Sequence, residues 1–154
     1  MAIRSVAMTL EGPLDQIDTV KRFALGTYVD LGDSAFVYVQ GVSSGAANKF
    51  ATFTLAGVTT LLAANAIGRV GIFCADLDAT TKYGWLQVRA KMGRNGATDT
   101  VAANTVPYID GTAGRVDDAV VAGDKVYNCF ILSADTSNVA TIWLNDPYVT
   151  DESN

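Results

Sequence analysis

Short runs of apolar residues, each ended by turn-forming residues, recur along most of the chain. Their length, alternation and content of β-branched and aromatic residues are typical of β-strands, and no long helical pattern separates them. The predicted strands are residues 27–29, 35–40, 50–55, 69–75, 84–90, 125–132 and 139–144. Residues that tolerate positive φ predict turns at Arg94-Asn95-Gly96 and Asp110-Gly111. The pattern predicts an all-β fold, a single small β-sandwich or barrel-like domain of short antiparallel strands.

The segment before the first predicted strand has a different pattern. Residues 13–25 place apolar side chains at helical spacing between a proline and Gly26. Two interpretations stay open: a helix of about three turns, or an extended arm that leads into the first strand. The valine and threonine content favours the extended arm. We therefore divide the chain into an N-terminal arm, residues 1–22, and a β domain, residues 23–154.

The composition describes a folded chain with few charges. Of 154 residues, 49% are hydrophobic and 18% are charged, which is enough apolar surface for one self-supporting core. The low charge has two explanations, an ordinary β core with a neutral polar surface, or a surface that other subunits cover. The net charge of −5 argues against nucleic acid as a partner, because such binding depends on Lys and Arg contacts to phosphate.

The chain shows no sign of secretion or of membrane insertion. Its first ten residues are too short and too polar for a signal peptide, and no run approaches the roughly 20 apolar residues of a membrane helix. We expect synthesis in the cytosol. Cys74 and Cys129 lie in separate apolar runs. They are either two buried thiols or a disulfide, and a reducing compartment favours free thiols.

Residues with catalytic potential are sparse. The sequence has no histidine, which excludes Ser-His-Asp and Cys-His sites and the usual zinc sites. Asp76-Leu77-Asp78 resembles the start of a calcium loop, but Thr81 and Gln87 occupy the positions of the required glycine and glutamate. Asp117-Asp118 is a carboxylate pair whose members would point to opposite faces of an extended chain. We expect a protein that is not an enzyme and that uses no cofactor or metal.

The two tryptophans are candidates for contact residues. In the run of residues 84–90, Leu86 and Val88 share one face of the predicted strand, and Trp85 lies on the other with polar neighbours. Trp143 stands likewise opposite Ile142 and Leu144. Each tryptophan is either a partly buried strand neighbour or a contact anchor.

A local basic stretch follows Trp85. Arg89, Lys91 and Arg94 lie within six residues of one another. This stretch is either a solvated strand end or a salt-bridging patch for an acidic partner. We keep Arg89 as a candidate contact residue.

Five segments, in order, resemble landmarks of a known family. They are Phe23-Ala24-Leu25-Gly26-Thr27, Phe36-Val37-Tyr38-Val39, Gly68-Arg69-Val70-Gly71-Ile72, Tyr83-Gly84-Trp85-Leu86-Gln87-Val88 and Thr112-Ala113-Gly114-Arg115-Val116-Asp117-Asp118. Together they resemble the small capsid cement (decoration) proteins of tailed bacteriophages. The Tyr-Gly-Trp-x-Gln-Val segment is the most specific of them. The resemblance runs from about residue 23 to residue 144 and is absent in residues 58–66 and in the arm.

The resemblance implies a structural role on the exterior of a phage capsid. Such a protein is made in the host bacterial cytoplasm, binds the major capsid protein and often its own copies, here as a dimer or trimer, and stabilises the shell. No reaction, cofactor, nucleic acid or membrane belongs to that role. The resemblance also implies that Gly26, Gly71 and Gly84 are turn or close-packing glycines.

A cement protein needs contact area more than chemistry, and the arm suits that need. Residues 2–10 mix apolar side chains with Arg4, so we expect them to lie extended on a neighbouring subunit. The candidate contact residues are Ile3, Arg4, Val6 and Met8 in the arm and Trp85, Arg89 and Trp143 in the β domain.

Two other functional classes stay open. One is a different virion subunit from a tail, fibre or baseplate, which shares an all-β architecture and low charge. The other is a carbohydrate-binding or small enzymatic β domain, which would require a cleft where aromatic rings and carboxylates converge.

Overall fold

Residues 14–152, which the computed structural model describes, form an all-β fold without a helix. The strands are β1 (Tyr28–Asp30), β2 (Ser34–Gln40), β3 (Phe50–Phe53), β4 (Thr59–Leu61), β5 (Gly68–Phe73), β6 (Tyr83–Ala97), β7 (Tyr108–Ile109), β8 (Val116–Asp117), β9 (Tyr127–Ile131) and β10 (Val139–Val149). Each of the seven predicted runs contains one strand, which confirms the all-β prediction. The strands β4, β7 and β8, which were not predicted, have only two or three residues each.

One antiparallel sheet contains most of the strands and curls into a half-barrel. Its order is β1-β2-β6-β10-β5-β3-β4, with β9 paired to β10, while β7 and β8 form a separate pair. The first part of β6 pairs with β5, and its second part pairs with β10 from Leu144↔Ala90 to Val139↔Ala97. The end of β10 then pairs with β5 at Tyr148↔Arg69. β10 therefore fills the gap where β5 and β6 diverge.

The two faces of the sheet bury different clusters. Val37, Leu86 and Phe73 are cross-strand partners and lie in one apolar core. On the opposite face, Ile72 lies in a second core together with the buried side chains of β9 and β10. Loop residues between β6 and β9, such as Val101, also lie in this second core. Side chains on both faces of the central strands are thus buried, as their continuous apolar runs predict.

The predicted turn at Arg94-Asn95-Gly96 is wrong, because all three residues belong to β6. Asn95 and Gly96 pair with Thr141 and Ala140 of β10. A Cβ on Gly96 would lie 2.6 Å from Cγ1 of Ile142. This glycine allows close packing and does not form a turn. The other predicted turn, Asp110-Gly111, does begin the connection from β7 to β8.

The helical interpretation of residues 13–25 is wrong for the described part of that segment. Asp18 forms a bridge with Tyr83, and each backbone N–H donates to the other residue's carbonyl at 2.8 Å. These groups are therefore engaged with β6 and not with a helical turn. The buried carboxylate of Asp18 also accepts a hydrogen bond from the Tyr38 hydroxyl at 2.7 Å.

Two glycines of the resembling segments lie where a Cβ would meet neighbouring atoms closely. Gly26 has φ of 84°, and a Cβ there would overlap the carbonyl oxygen of Leu55. A Cβ on Gly84 would lie 3.0 Å from Cδ2 of Leu77. Both are close-packing positions, as the resemblance implies.

Candidate interaction surface

Trp85 is part of the core and is not displayed. Only 6% of its surface is exposed, and its ring lies 5.1 Å from the Tyr38 ring and 5.4 Å from the Phe23 ring. Residues 14–25, whose packing the sequence pattern did not predict, cover this face of β6 with Leu14, Phe23 and Leu25. The alternative in which Trp85 is an exposed contact anchor is therefore wrong.

Arg89 is the centre of a charged cluster that joins three strands. Its Nη1 donates to Asp30 Oδ2 at 2.8 Å and its Nη2 to Asp146 Oδ2 at 2.7 Å. The Tyr28 hydroxyl donates to the other oxygen of Asp146 at 2.9 Å. These partners could not be predicted from the sequence pattern, because Asp30 and Asp146 lie 59 and 57 residues away from Arg89. Their link therefore becomes visible only in the folded sheet.

The charged cluster shifts the acidity of its members. Hydrogen bonds from the Arg89 guanidinium and from the backbone N–H of Gly32 lower the pKa of Asp30. Burial and the hydrogen bond to Asp146 raise the pKa of Tyr28 to about 12. Arg69 supplies a second cation, with its Nη2 3.8 Å from Asp146 Oδ1, so two guanidinium groups balance two carboxylates. The cluster links β1 to β6 and β10.

Arg94 has a structural role, unlike the solvated residue that the basic stretch suggested. Its Nη1 donates to Cys74 Sγ at 3.4 Å and to Gln87 Oε1 at 3.1 Å. Its Nη2 donates to Asn48 Oδ1 and to the Phe73 carbonyl, both at 3.2 Å, and its Nε donates to its neighbour's carbonyl. All five N–H groups of the guanidinium are engaged, so it offers no free donor to a partner.

Trp143 belongs to a row of partly exposed apolar side chains on β9 and β10, named here the aromatic strip. Its members are Tyr127, Phe130, Leu132, Trp143 and Tyr148. Trp143 and Phe130 are directly opposite each other in the β9–β10 pair, and Phe130 is 41% exposed. The Tyr127 and Tyr148 rings stack at 5.1 Å. The strip therefore presents a partly exposed, mainly aromatic surface, on which Trp143 is half-buried.

A shallow cavity opens within the aromatic strip. It has a volume of about 210 Å³ and is lined by Tyr127, Phe130 and Trp143, with Lys125 at the same site. The Lys125 ammonium lies 5.2 Å from the centre of the Tyr127 ring. A cavity of this size accepts one side chain of a partner and not a drug-sized ligand.

Two larger cavities adjoin each other on another part of the surface. They have volumes of about 390 and 430 Å³ and share Asn48 and Asn95. The first also contains Arg94 and Asp15, and the second contains the hydroxyl groups of Ser133, Thr136 and Thr141. Their lining mixes amide and hydroxyl groups with apolar side chains such as Leu14, and it contains one aromatic ring, Phe36, and one carboxylate, Asp15. A carbohydrate or glycosidase site was expected to need several such groups that converge.

The remaining candidate residues are four residues of the arm and the two cysteines. Ile3, Arg4, Val6 and Met8 lie outside the described residues. Cys74 and Cys129 are free thiols, and burial raises the pKa of both. Within residues 14–152 no group of three or more acidic or cysteine side chains could hold a metal ion, and no helix is long and apolar enough to span a membrane.

Comparison with known proteins does not assign this chain to a family. No protein family model, no curated protein and no solved structure matches this chain. The resemblance of the five segments therefore depends on those residues alone, and so does any function that it implies.

Proposed function

We propose that this chain is a capsid cement (decoration) protein, which binds the outer surface of a phage head and stabilises the lattice of the major capsid protein. The observation that carries the proposal is the meeting of three resembling segments in one place. Phe23, Tyr38 and Trp85 come from three separate segments and form one aromatic cluster with ring distances of 5.1–5.4 Å.

The surface offers two features that suit adhesion. The aromatic strip is apolar and partly exposed, and residues of this kind dominate the energy of protein interfaces. The charged cluster around Arg89 is linked by ion pairs, and it supplies polar groups for the rim of a contact. We assign the contact with the major capsid protein to the arm and to the side of the domain that carries Arg89.

The test uses phage heads that lack this protein. Purified protein is added to the heads, unbound protein is removed by sedimentation, and the particles are imaged by cryo-electron microscopy. We expect density at regular lattice positions on the outer surface. No binding to heads at saturating protein would refute the proposal.

A truncated protein that begins after Leu10 tests the arm separately. We expect lower occupancy on the heads with an unchanged far-UV circular dichroism spectrum. Wild-type occupancy of the truncated protein would remove the arm from the contact.

A different virion subunit remains an alternative, and the same experiment can detect it. Density at a tail, fibre or baseplate in the same images would support a different structural subunit. A carbohydrate-binding domain is a further alternative, which a glycan array would reveal.

A further inference from the structure

Residues 14–25, named here the strap, cover one face of β2 and β6 and belong to no helix or strand. Apart from the turn that Ala24 forms with Thr27, only two backbone hydrogen bonds join the strap to the rest of residues 14–152, and both are between Asp18 and Tyr83. Asp18 is also the only buried residue of the strap, and the others are half-buried or exposed. The strap is therefore attached mainly at one polar residue.

The side chain of Asp18 is the centre of a hydrogen-bonded latch. Its Oδ2 accepts a hydrogen bond from the Tyr38 hydroxyl at 2.7 Å, and its Oδ1 accepts one from Gln16 Nε2 at 3.1 Å. The Tyr38 hydroxyl in turn accepts a hydrogen bond from the backbone N–H of Arg22 at 3.2 Å. Because Tyr38 is fully buried in β2, the latch connects three residues of the strap to one fixed point of the sheet.

The apolar contacts of the strap are shallow. Its Leu14, Phe23 and Leu25 pack against the cluster that contains Tyr38 and Trp85, but they are only half-buried themselves. Beneath them β2 and β6 pair with each other, and their other face packs in a separate core. Lifting the strap would thus uncover Tyr38 and Trp85 and leave the sheet complete.

The strap ends at a residue that is fixed to the sheet. The N–H of Gly26 donates to the Tyr38 carbonyl at 2.8 Å. Gly26 also has a φ of 84° and lies so close to Leu55 that a Cβ would overlap its carbonyl oxygen. Gly26 is therefore the point at which a lifted strap would remain attached.

We propose that the strap opens as one unit while the β domain stays folded, and that the hydrogen bond between Asp18 and Tyr38 keeps it closed. Segments with few buried contacts open at a lower free energy than the whole domain unfolds. Opening frees residues 14–25, whose extended length of roughly 40 Å adds to the reach of residues 1–13. The use of this length on a capsid rests on the proposed function, whereas the opening itself does not.

Trypsin measures the opening in the free protein. Lys21 and Arg22 are exposed residues of the strap, and cleavage after them requires the backbone to leave the sheet surface. Cleavage is followed by mass spectrometry at urea concentrations below the unfolding transition, with a short peptide as reference for the activity of trypsin. Because opening of a short segment exposes little surface, we expect a much weaker urea dependence than that of global unfolding. Equal urea dependences would overturn the proposal.

Two variants remove the latch from its two sides. Asp18→Ala and Tyr38→Phe should each raise the rate of cleavage in the strap about tenfold or more, because each removes a hydrogen bond to a carboxylate. The double variant should show clearly less than the product of the two effects, because both act through one bond. Asp15→Ala removes an exposed carboxylate of the same strap and is the matched control, with a rate within about twofold of the wild type.

The cleaved protein tests whether the domain is independent of the strap. After cleavage it should keep its far-UV circular dichroism spectrum and resist further digestion. Loss of the spectrum together with general degradation would overturn the proposal, and so would latch variants that are cleaved at the rate of the control. These results are obtained without phage heads and do not depend on the proposed function.

A disulfide tests the use of the opening. The mutual hydrogen bonds of Asp18 and Tyr83 define a pair whose Cα atoms lie about 5.5 Å apart, within the range of a disulfide. The variant combines Asp18→Cys and Tyr83→Cys with Cys74→Ala, because Cys74 bonds to the adjacent Trp85 and its thiol could mispair. The oxidised protein should resist cleavage in the strap and bind heads at lower occupancy than the same protein reduced. Equal occupancy would overturn the use of the strap as extra length, and no binding in either form contradicts only the proposed function.

Discussion

Replacing Trp85 with alanine tests whether this residue is part of the core, and the structure gives the expected size of the effect. The side chain is 94% removed from solvent, since only 6% of its surface is exposed. Loss of this burial costs roughly 2–3 kcal/mol. The cavity and the lost contacts with the Tyr38 and Phe23 rings add to this cost. We expect the free energy of unfolding to fall by about 3–5 kcal/mol.

The assay is urea unfolding followed by far-UV circular dichroism. A domain of this size has a stability of about 5–15 kcal/mol, so the variant should still fold at low temperature but with a much lower midpoint. Trp85→Phe keeps a ring in the cluster and should lose less, about 1–2 kcal/mol. Trp143→Ala is the matched control, because Trp143 is only half-buried and should cost about 1–2 kcal/mol.

One result would refute this reasoning about Trp85. If Trp85→Ala lowers the free energy of unfolding by less than about 1 kcal/mol while head binding is lost, the residue is a contact anchor after all. Equal losses for Trp85→Ala and Trp143→Ala would also contradict the difference in burial on which the prediction depends.

The remaining predictions concern the charged residues. Arg94→Lys should lower the free energy of unfolding by about 1–3 kcal/mol, because a single ammonium group cannot donate to all five acceptors of the guanidinium. Urea unfolding measures this loss, and an unchanged midpoint would contradict the prediction. Burial, together with nearby carboxylates such as Asp110, raises the pKa of Asp117, so its charge opposes folding once the pH exceeds its unfolded pKa. Asp117→Asn should therefore stabilise the protein by up to about 1 kcal/mol at neutral pH and lose this advantage in acid. Asp30 has a lowered pKa, so Asp30→Asn should destabilise the protein at neutral pH, and the difference should vanish as the pH falls through the folded pKa. Urea midpoints between about pH 3 and 7 should give opposite slopes for these two variants, and equal slopes would contradict the assignment.

A strand could be predicted from the sequence where the burial of its two faces can be read from its own residues. The run of residues 35–40 is buried on both faces, and its continuous β-favouring pattern indicates this. The strand β6 was predicted only in its first half. Its second half contains Asn95-Gly96, a strong local turn signal, but the glycine is required by packing against Ile142. A local signal of this kind cannot reveal a constraint that comes from a strand 46 residues later.

The candidate contacts were harder to predict than the strands, because each depends on distant parts of the chain. Alternation in β6 correctly separated Trp85 from Leu86, but it could not show what covers the second face. That cover comes from residues 14–25, whose apolar spacing suggested a helix or an extended arm and whose backbone is irregular. Arg89 was predicted as a contact residue for a partner, whereas the structure shows it in ion pairs with two carboxylates of this chain. These carboxylates come from β1 and β10, which lie near opposite ends of the sequence.

The low charge of the chain had two explanations, and the position of the charges bears on the choice between them. Many basic residues are engaged within the domain: Arg22, Arg69, Lys82 and Arg89 in ion pairs and Arg94 in hydrogen bonds. Charges that tie strands together do not keep a surface hydrated in the way that free charges do. The aromatic strip, by contrast, has no charged member, and Arg69 pairs with Tyr148 at one end of it. An apolar face without charged members is the composition expected at the centre of a surface that another subunit covers.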